Sequence, residues 1–151
     1  METTTTKNTA ALIHLSTLSQ YLIPFGNYIF PIVIWSSTKD KSEYINSQGK
    51  RAINFQLSLF LYSLVLGLIA VPVLFVTVFK NVSLQTMVNG DDWFIENFSL
   101  ANATGMVTVA LIAVSFFFML KVAEFFLIIY ASVKSSNGED FHYPLTIPFL
   151  K

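Results

Sequence analysis

Two charged side chains, Lys121 and Glu124, stand inside an otherwise apolar stretch of the chain. Because they are three residues apart, they share one face of a helix and can pair with each other. Counted from Lys134 at about 1.5 Å per helical residue, Glu124 lies about 15 Å deep and Lys121 about 20 Å deep. An ionised side chain at mid-bilayer costs at least about 2.5 to 3.5 kcal/mol, so such residues face protein or water and are candidates for a functional site.

Polar residues of the other apolar stretches reach a similar depth, about 13 to 18 Å by the same count. One interpretation is a mid-membrane cluster like the sites at discontinuous helices of transporters. The other is an ion pair that helps its helix to pack against a neighbour or another protein. So small a bundle hardly encloses a cavity, which favours the second interpretation. The members of the candidate cluster are Asn27, Tyr62, Ser63, Lys121 and Glu124.

Other reactive chemistry is sparse in the sequence. Neither His14 nor His142 has another His or a carboxylate at metal-ligand spacing, and the chain has no Cys. Nucleophile-elbow, phosphate-loop and dinucleotide motifs are missing. We therefore expect no enzyme, no metal and no cofactor, and a net charge of zero argues against nucleic-acid binding.

The composition indicates a membrane protein. Of the 151 residues 54% are hydrophobic and only 12% are charged, about half the charged share of a soluble domain. Residues 10–35, 52–79 and 104–133 each exceed the roughly 20 apolar residues that cross a bilayer as a helix. We predict an all-α integral membrane protein, a small helical bundle of two long transmembrane helices and a broken N-terminal segment. A disordered tail, residues 1–9, precedes a single membrane domain over 10–151.

The basic residues predict the orientation, because Lys and Arg resist translocation. The connection 36–51 holds four of them, whereas the connection 80–103 holds only Lys80. Lys134 and Lys151 lie in the tail 134–151. We therefore expect the connection 36–51 and the C-terminus in the cytoplasm and the loop 80–103 outside.

The first apolar stretch is interrupted by Pro24, Gly26 and Pro31, which disfavour a straight helix. Two geometries stay open. The chain could cross once with a sharp kink, which places the N-terminus outside. Alternatively, two short helices, residues 10–23 and 28–35, form a hairpin that enters and returns. The basic residues do not separate the two, but the polar side chains of 10–23 favour the hairpin.

The C-terminal tail has its own pattern. Asn137 and Gly138 form a good helix stop, and Pro144 and Pro148 prevent further helix. After the helix stop, apolar side chains alternate with other residues from Phe141 to Phe149. We expect an extended strip against the membrane surface or the cytoplasmic connection, which either anchors the tail or binds a partner.

Several short motifs occur together in a characteristic order: 14–16 (HLS), 21–27 (YLIPFGN), 31–35 (PIVIW), 49–56 (GKRAINFQ), 134–139 (KSSNGE) and 143–147 (YPLTI). Their most distinctive positions are His14, Arg51, Asn54, Gln56, Asn137, Gly138, Tyr143 and Pro144. The set resembles the Tic-twenty-like domain family of small bacterial membrane proteins, largely of unknown function, which includes the magnetosome proteins MamF and MmsF. The resemblance implies a multi-pass protein of the bacterial inner membrane. A distant chloroplast member has four spans, which favours two helices in the broken segment.

We therefore expect a non-enzymatic accessory or scaffold subunit that packs its helices against another membrane protein or a second copy of itself. Its other partner is the lipid bilayer. The alternative is a transport or protein-translocation component that uses the mid-membrane polar cluster.

Overall fold

The computed structural model describes residues 2–81 and 100–151, and in these ranges it contains helices and no strand. The helices are α1 (Thr4–Ser16), α2 (Gly26–Thr38), α3 (Glu43–Asn81) and α4 (Leu100–Asn137). Short 3₁₀ turns, Thr17–Tyr21 and Lys39–Lys41, follow α1 and α2. The all-α prediction is confirmed. Most of the predicted outward loop, residues 82–99, lies outside the described residues.

Helices α3 and α4 are long and apolar enough to cross a membrane. The candidate spans are Glu43–Val73, with 31 residues, and Thr108–Asn137, with 30 residues. An 18-residue window in the first span has a mean hydropathy of 2.0, and one in the second has 2.3. Only 11% of the window in the first span and 17% of the window in the second is buried. Core helices of soluble proteins are mostly buried, so this exposure is typical of surfaces that face lipid.

Helix α3 begins earlier than predicted, because residues 43–51 belong to it and not to the connection 36–51. The Ser42 hydroxyl accepts a hydrogen bond from the Tyr44 amide and so caps the first turn. Ile45, Gln48 and Ala52 are buried at helical spacing, which packs these turns against the rest of the protein. Charged neighbours on the other faces of the helix hid this pattern in the sequence.

The N-terminal segment consists of two helices that pack against each other, α1 and α2, joined by the 3₁₀ turn and residues 22–25. Residues 4–9 are helical, in contrast to the predicted disordered tail over 1–9, because the Thr3 hydroxyl caps α1 at the Thr6 amide. The break includes Pro24 and ends at Gly26. Pro31 does not end a helix but lies buried inside α2, where it costs one backbone hydrogen bond.

Helix α4 ends at Asn137, where the sequence predicts a stop. Gly138 has φ +81°, which an L side chain rarely adopts. The amides of Gly138 and Glu139 donate to the carbonyls of Ser135 and Lys134, which is the Schellman pattern. The following strap, residues 139–151, is not helical and turns at Pro144 and Leu145.

Contacts divide the chain into two compact units where the sequence predicts a single domain. The first unit comprises 1–61 and 120–151, and the second comprises 62–119. The division does not follow a linker, because α3 and α4 each run through both units. In the first unit Ile13, Ile45 and Ala52 form a small core, against which Ile34 and Trp35 pack.

Candidate functional site

A chain of polar side chains crosses the first unit from buried positions on α1 and α3 to the exposed Asp140 of the strap. His14 is fully buried, and its Nε2 lies 3.1 Å from Gln48 Oε1. On its other side, His14 Nδ1 lies 2.8 Å from the Tyr143 hydroxyl. Gln48 Nε2 donates to Asp140 Oδ1 at 2.9 Å, and Arg51 donates to the same oxygen at 2.8 Å. Each member thus satisfies a buried neighbour, as buried polar groups must.

The carboxylate of Asp140 fixes the direction of this chain. An ionised carboxylate only accepts, so the Gln48 amide must point its NH₂ group at Asp140 and its oxygen at His14. The neutral imidazole of His14 then carries its proton on Nε2, which leaves Nδ1 to accept from the Tyr143 hydroxyl. All the donors therefore run from Tyr143 towards the negative charge, and this alignment strengthens each bond.

Asp140 and Tyr143 hold the protonation states that this direction requires. The hydrogen bond from the Arg51 guanidinium holds the pKa of Asp140 below its usual value, so the carboxylate stays ionised. Burial raises the pKa of the Tyr143 hydroxyl well above its usual value, and the negative charge of Glu124 acts in the same direction. The phenol therefore remains a donor at any physiological pH.

The strap is fastened to α3 through its backbone. Asn54 Nδ2 donates to the Leu150 carbonyl at 3.0 Å, and the Leu150 amide returns a bond to Asn54 Oδ1 at 2.8 Å. The Ser58 hydroxyl accepts from the Ile147 amide at 2.8 Å. The Tyr143 ring stacks on Phe55 with centroids 4.0 Å apart and planes 9° from parallel. The predicted extended strip therefore lies against the first half of α3.

A second polar contact joins α2 to α3. Asn27 Nδ2 donates to Gln56 Oε1 at 2.7 Å, and the Tyr28 hydroxyl donates to the Gln56 carbonyl at 3.2 Å. Both Asn27 and Gln56 are buried. Gln56 Nε2 is buried without a hydrogen-bond partner among the described residues. Asn27 thus serves the packing of α2 on α3.

The third contact lies where the turn after α1 meets α4. Lys121 Nζ and Glu124 Oε2 are 2.9 Å apart, the pairing that their spacing predicts. The amide of Gln20 contacts both members of this ion pair. It donates to Glu124 Oε1 at 2.8 Å and accepts from Lys121 Nζ at 3.2 Å. Glu124 is only 1% exposed. Both of its oxygens are thus compensated, as a buried charge requires.

The structure divides the five residues of the predicted polar cluster among three places. Lys121 and Glu124 stand with Gln20, whereas Asn27 pairs with Gln56. Tyr62 and Ser63 belong to the second unit, where Ser63 lines an open apolar groove of about 180 Å³ with Gly67, Ala113 and neighbouring residues.

The eight distinctive motif positions of the sequence all lie in the first unit. Six of them form the polar contacts or the helix stop described above. The other two, Asn137 and Pro144, are next to Gly138 and Tyr143 in the chain. Sequence reasoning missed Gln48 and Asp140, which connect several of these positions, and Gln20, which joins Lys121 and Glu124. The signal for Gln48 was its place on one helical face with Ile45 and Ala52, since a polar residue on a buried stripe needs a partner.

The polar contacts of the first unit fasten its elements to one another. Among residues 2–81 and 100–151, no group of three His, Cys, Asp or Glu side chains could hold a metal ion. The groove of about 180 Å³ is smaller than the roughly 300 to 1,000 Å³ of typical ligand pockets. The buried polar side chains bind each other across helices, and this joins α1, α2, α3, α4 and the strap.

Comparison with known proteins gives one match. The model of the magnetosome magnetite crystal formation protein family, MamF/MmsF, matches residues 5–150. No curated protein and no solved structure matches the chain. The match covers α2, α3 and α4 and all but the outermost residues of α1 and the strap. The polar contacts that join these elements lie within it. The chain is therefore a member of the magnetosome magnetite crystal formation protein family.

Proposed function

We propose that this protein is a non-enzymatic accessory subunit of a magnetosome membrane, where it packs its long helices against another membrane protein. The observation that carries the proposal is the contrast between the two surfaces of the chain. Its buried polar groups are used to fasten its own elements, while α3 and α4 present long apolar faces outwards. Such faces contact lipid or another membrane helix.

The family description supports a role at the membrane around a growing magnetite crystal. We propose that the protein lies in the bacterial inner membrane or in the magnetosome membrane. The connection after α2 and the strap face the cytoplasm, since Lys39 and Lys41 lie in this connection and Lys50 lies in the first turns of α3. We also propose that the protein is related to the Tic-twenty-like domain family.

Purification from native membranes in mild detergent tests the accessory role. We expect a second membrane protein to copurify in a fixed ratio. Leu68 and Phe118, each 67% exposed, offer substitutions that leave the fold intact. Leu68→Ala or Phe118→Ala should release the partner without lowering the thermal midpoint of the protein itself. A protein that elutes alone, even after crosslinking in intact membranes, contradicts the accessory role.

A transport or translocation role is the second candidate, and the buried Glu124 with Lys121 and Gln20 favours it. Glu124→Gln is nearly isosteric and removes the charge. Under a transport role it should abolish flux in reconstituted vesicles while the partner still copurifies. If neither the wild type nor Glu124→Gln supports flux, and the variant loses the partner, the accessory role is supported instead.

A further inference from the structure

The turn between α1 and α2 reaches the middle of an apolar span. Gln20, at the end of α1's 3₁₀ extension, is bound to Glu124. Glu124 lies 16 residues after the start and 13 before the end of the span Thr108–Asn137. At about 1.5 Å per residue the turn therefore lies about 20 Å from the end of α4, near mid-bilayer.

The other ends of the hairpin lie together at the end of α4. The Ser42 hydroxyl donates to Glu2 Oε2 at 3.1 Å, so the start of α1 meets the chain just after α2. Lys7 lies against Gly138, the residue that follows α4. Helix α2, the returning arm, has 13 residues, about 20 Å, which is too short to cross a hydrocarbon core of about 30 Å. The segment enters and returns on one side.

The turn itself exposes apolar side chains where α4 does the same. Leu22 is 86% and Phe25 70% exposed, with Tyr21 and Ile23 beside them. The Tyr21 ring meets the edge of Phe125, which is itself exposed on α4. The apolar surface of the turn is thus continuous with that of a membrane span.

Many polar groups near the turn are bonded internally, as a position in hydrocarbon favours. The hydroxyls of Ser16, Thr17 and Ser19 donate to the carbonyls three residues earlier. The amides of Leu22 and Ile23 donate to the Ser19 carbonyl. This explains how the polar side chains of the first segment tolerate a position in the bilayer.

We propose that α1 and α2 form a re-entrant hairpin whose tip, residues 21–25, contacts lipid acyl chains at mid-bilayer. Gln20 is the positioning residue that holds the tip at this depth, through its bonds to Lys121 and Glu124. The N-terminus therefore lies on the same side as the connection after α2 and the strap. This inference rests on the membrane location and not on the accessory role.

The chain has no Cys, so single-Cys variants report without background. A spin label at Phe25→Cys, in vesicles of phosphatidylethanolamine and phosphatidylglycerol, should be several-fold more accessible to oxygen than to a water-soluble nickel chelate. The matched control is Ser37→Cys, an exposed position at the end of α2, where the chelate should dominate. Chelate access at residue 25 overturns the proposal, and so does shielding from both reagents, since a protein partner or a second copy would then cover the tip.

Further variants test the topology of the hairpin and the positioning role of Gln20. Thr5→Cys and Lys41→Cys should be modified by an impermeant maleimide from the same side, and modification from opposite sides overturns the hairpin. Adding Gln20→Leu to the Phe25→Cys protein should shift the label towards the interface. An unchanged depth refutes the positioning role of Gln20. Copurification of a partner is scored separately, so failure of the accessory role stays distinguishable.

Discussion

Tyr143→Phe isolates one hydrogen bond in the network that joins the strap to α1. The substitution removes the hydroxyl that donates to His14 Nδ1 and keeps the ring that stacks on Phe55. A buried imidazole nitrogen is then left without a donor, which costs about 1 to 3 kcal/mol. Tyr143→Ala also removes the stacked ring, and it should cost about 3 to 5 kcal/mol.

The matched control lies two residues away in the same strap. Leu145 is 80% exposed, and Leu145→Ala keeps the backbone of the turn. Because surface truncations change stability by about 0.5 kcal/mol or less, this variant should be close to the wild type. The expected order of stability is therefore wild type and Leu145→Ala, then Tyr143→Phe, then Tyr143→Ala.

The free energy of unfolding can be measured by titrating sodium dodecyl sulfate into mixed micelles. Hydrogen exchange adds a local measurement, since the amides of Ile147 and Leu150 are bonded to Ser58 and Asn54. Their exchange should accelerate about tenfold for each 1.4 kcal/mol lost from the strap. Tyr143→Phe values that equal those of Leu145→Ala would refute the proposed path from the strap to His14.

Two further predictions concern packing and charge. Gly49→Ala should destabilise the protein by about 1 to 3 kcal/mol, because the added Cβ would stand 2.1 Å from Trp35 Cδ1. The control is Gly67→Ala, which should be neutral or stabilising, because the added Cβ meets nothing within 4 Å. Equal thermal midpoints of the two variants would contradict this prediction. The Arg51 contact lowers the pKa of Asp140 from 3.8, so its stabilisation is complete above that value and is lost as the pH falls through the lower folded value. Stability measured between pH 5 and pH 2 should therefore fall less steeply in Asp140→Asn, and identical slopes would exclude this linkage.

Much of the fold is local in origin and was predictable. The length of an apolar run is a property of consecutive residues, and it predicts both spans. The stop at Asn137 and Gly138 is equally local, because a left-handed residue ends a helix wherever it stands. The early start of α3 was missed, since a short amphipathic stretch among charges resembles a connection until its buried face is known.

The candidate site was predictable only in part. Lys121 and Glu124 are neighbours on one helix, so their pairing follows from spacing. Their third partner, Gln20, is about a hundred residues away from them, and no periodicity specifies such a contact. The same holds for Asn27, which the depth count placed with Glu124 but which pairs with Gln56.

The sequence by itself determined that this chain is a helical membrane protein with charges in its apolar interior, because solvation in a bilayer depends on composition and length. Tertiary structure alone decided which side chains those charges contact. It packed α1 against α2, placed Gln20 on Glu124, and connected Tyr143 to His14 across most of the chain. Hydrogen bonds depend on distances of about 3 Å between atoms, and only the folded chain sets those distances.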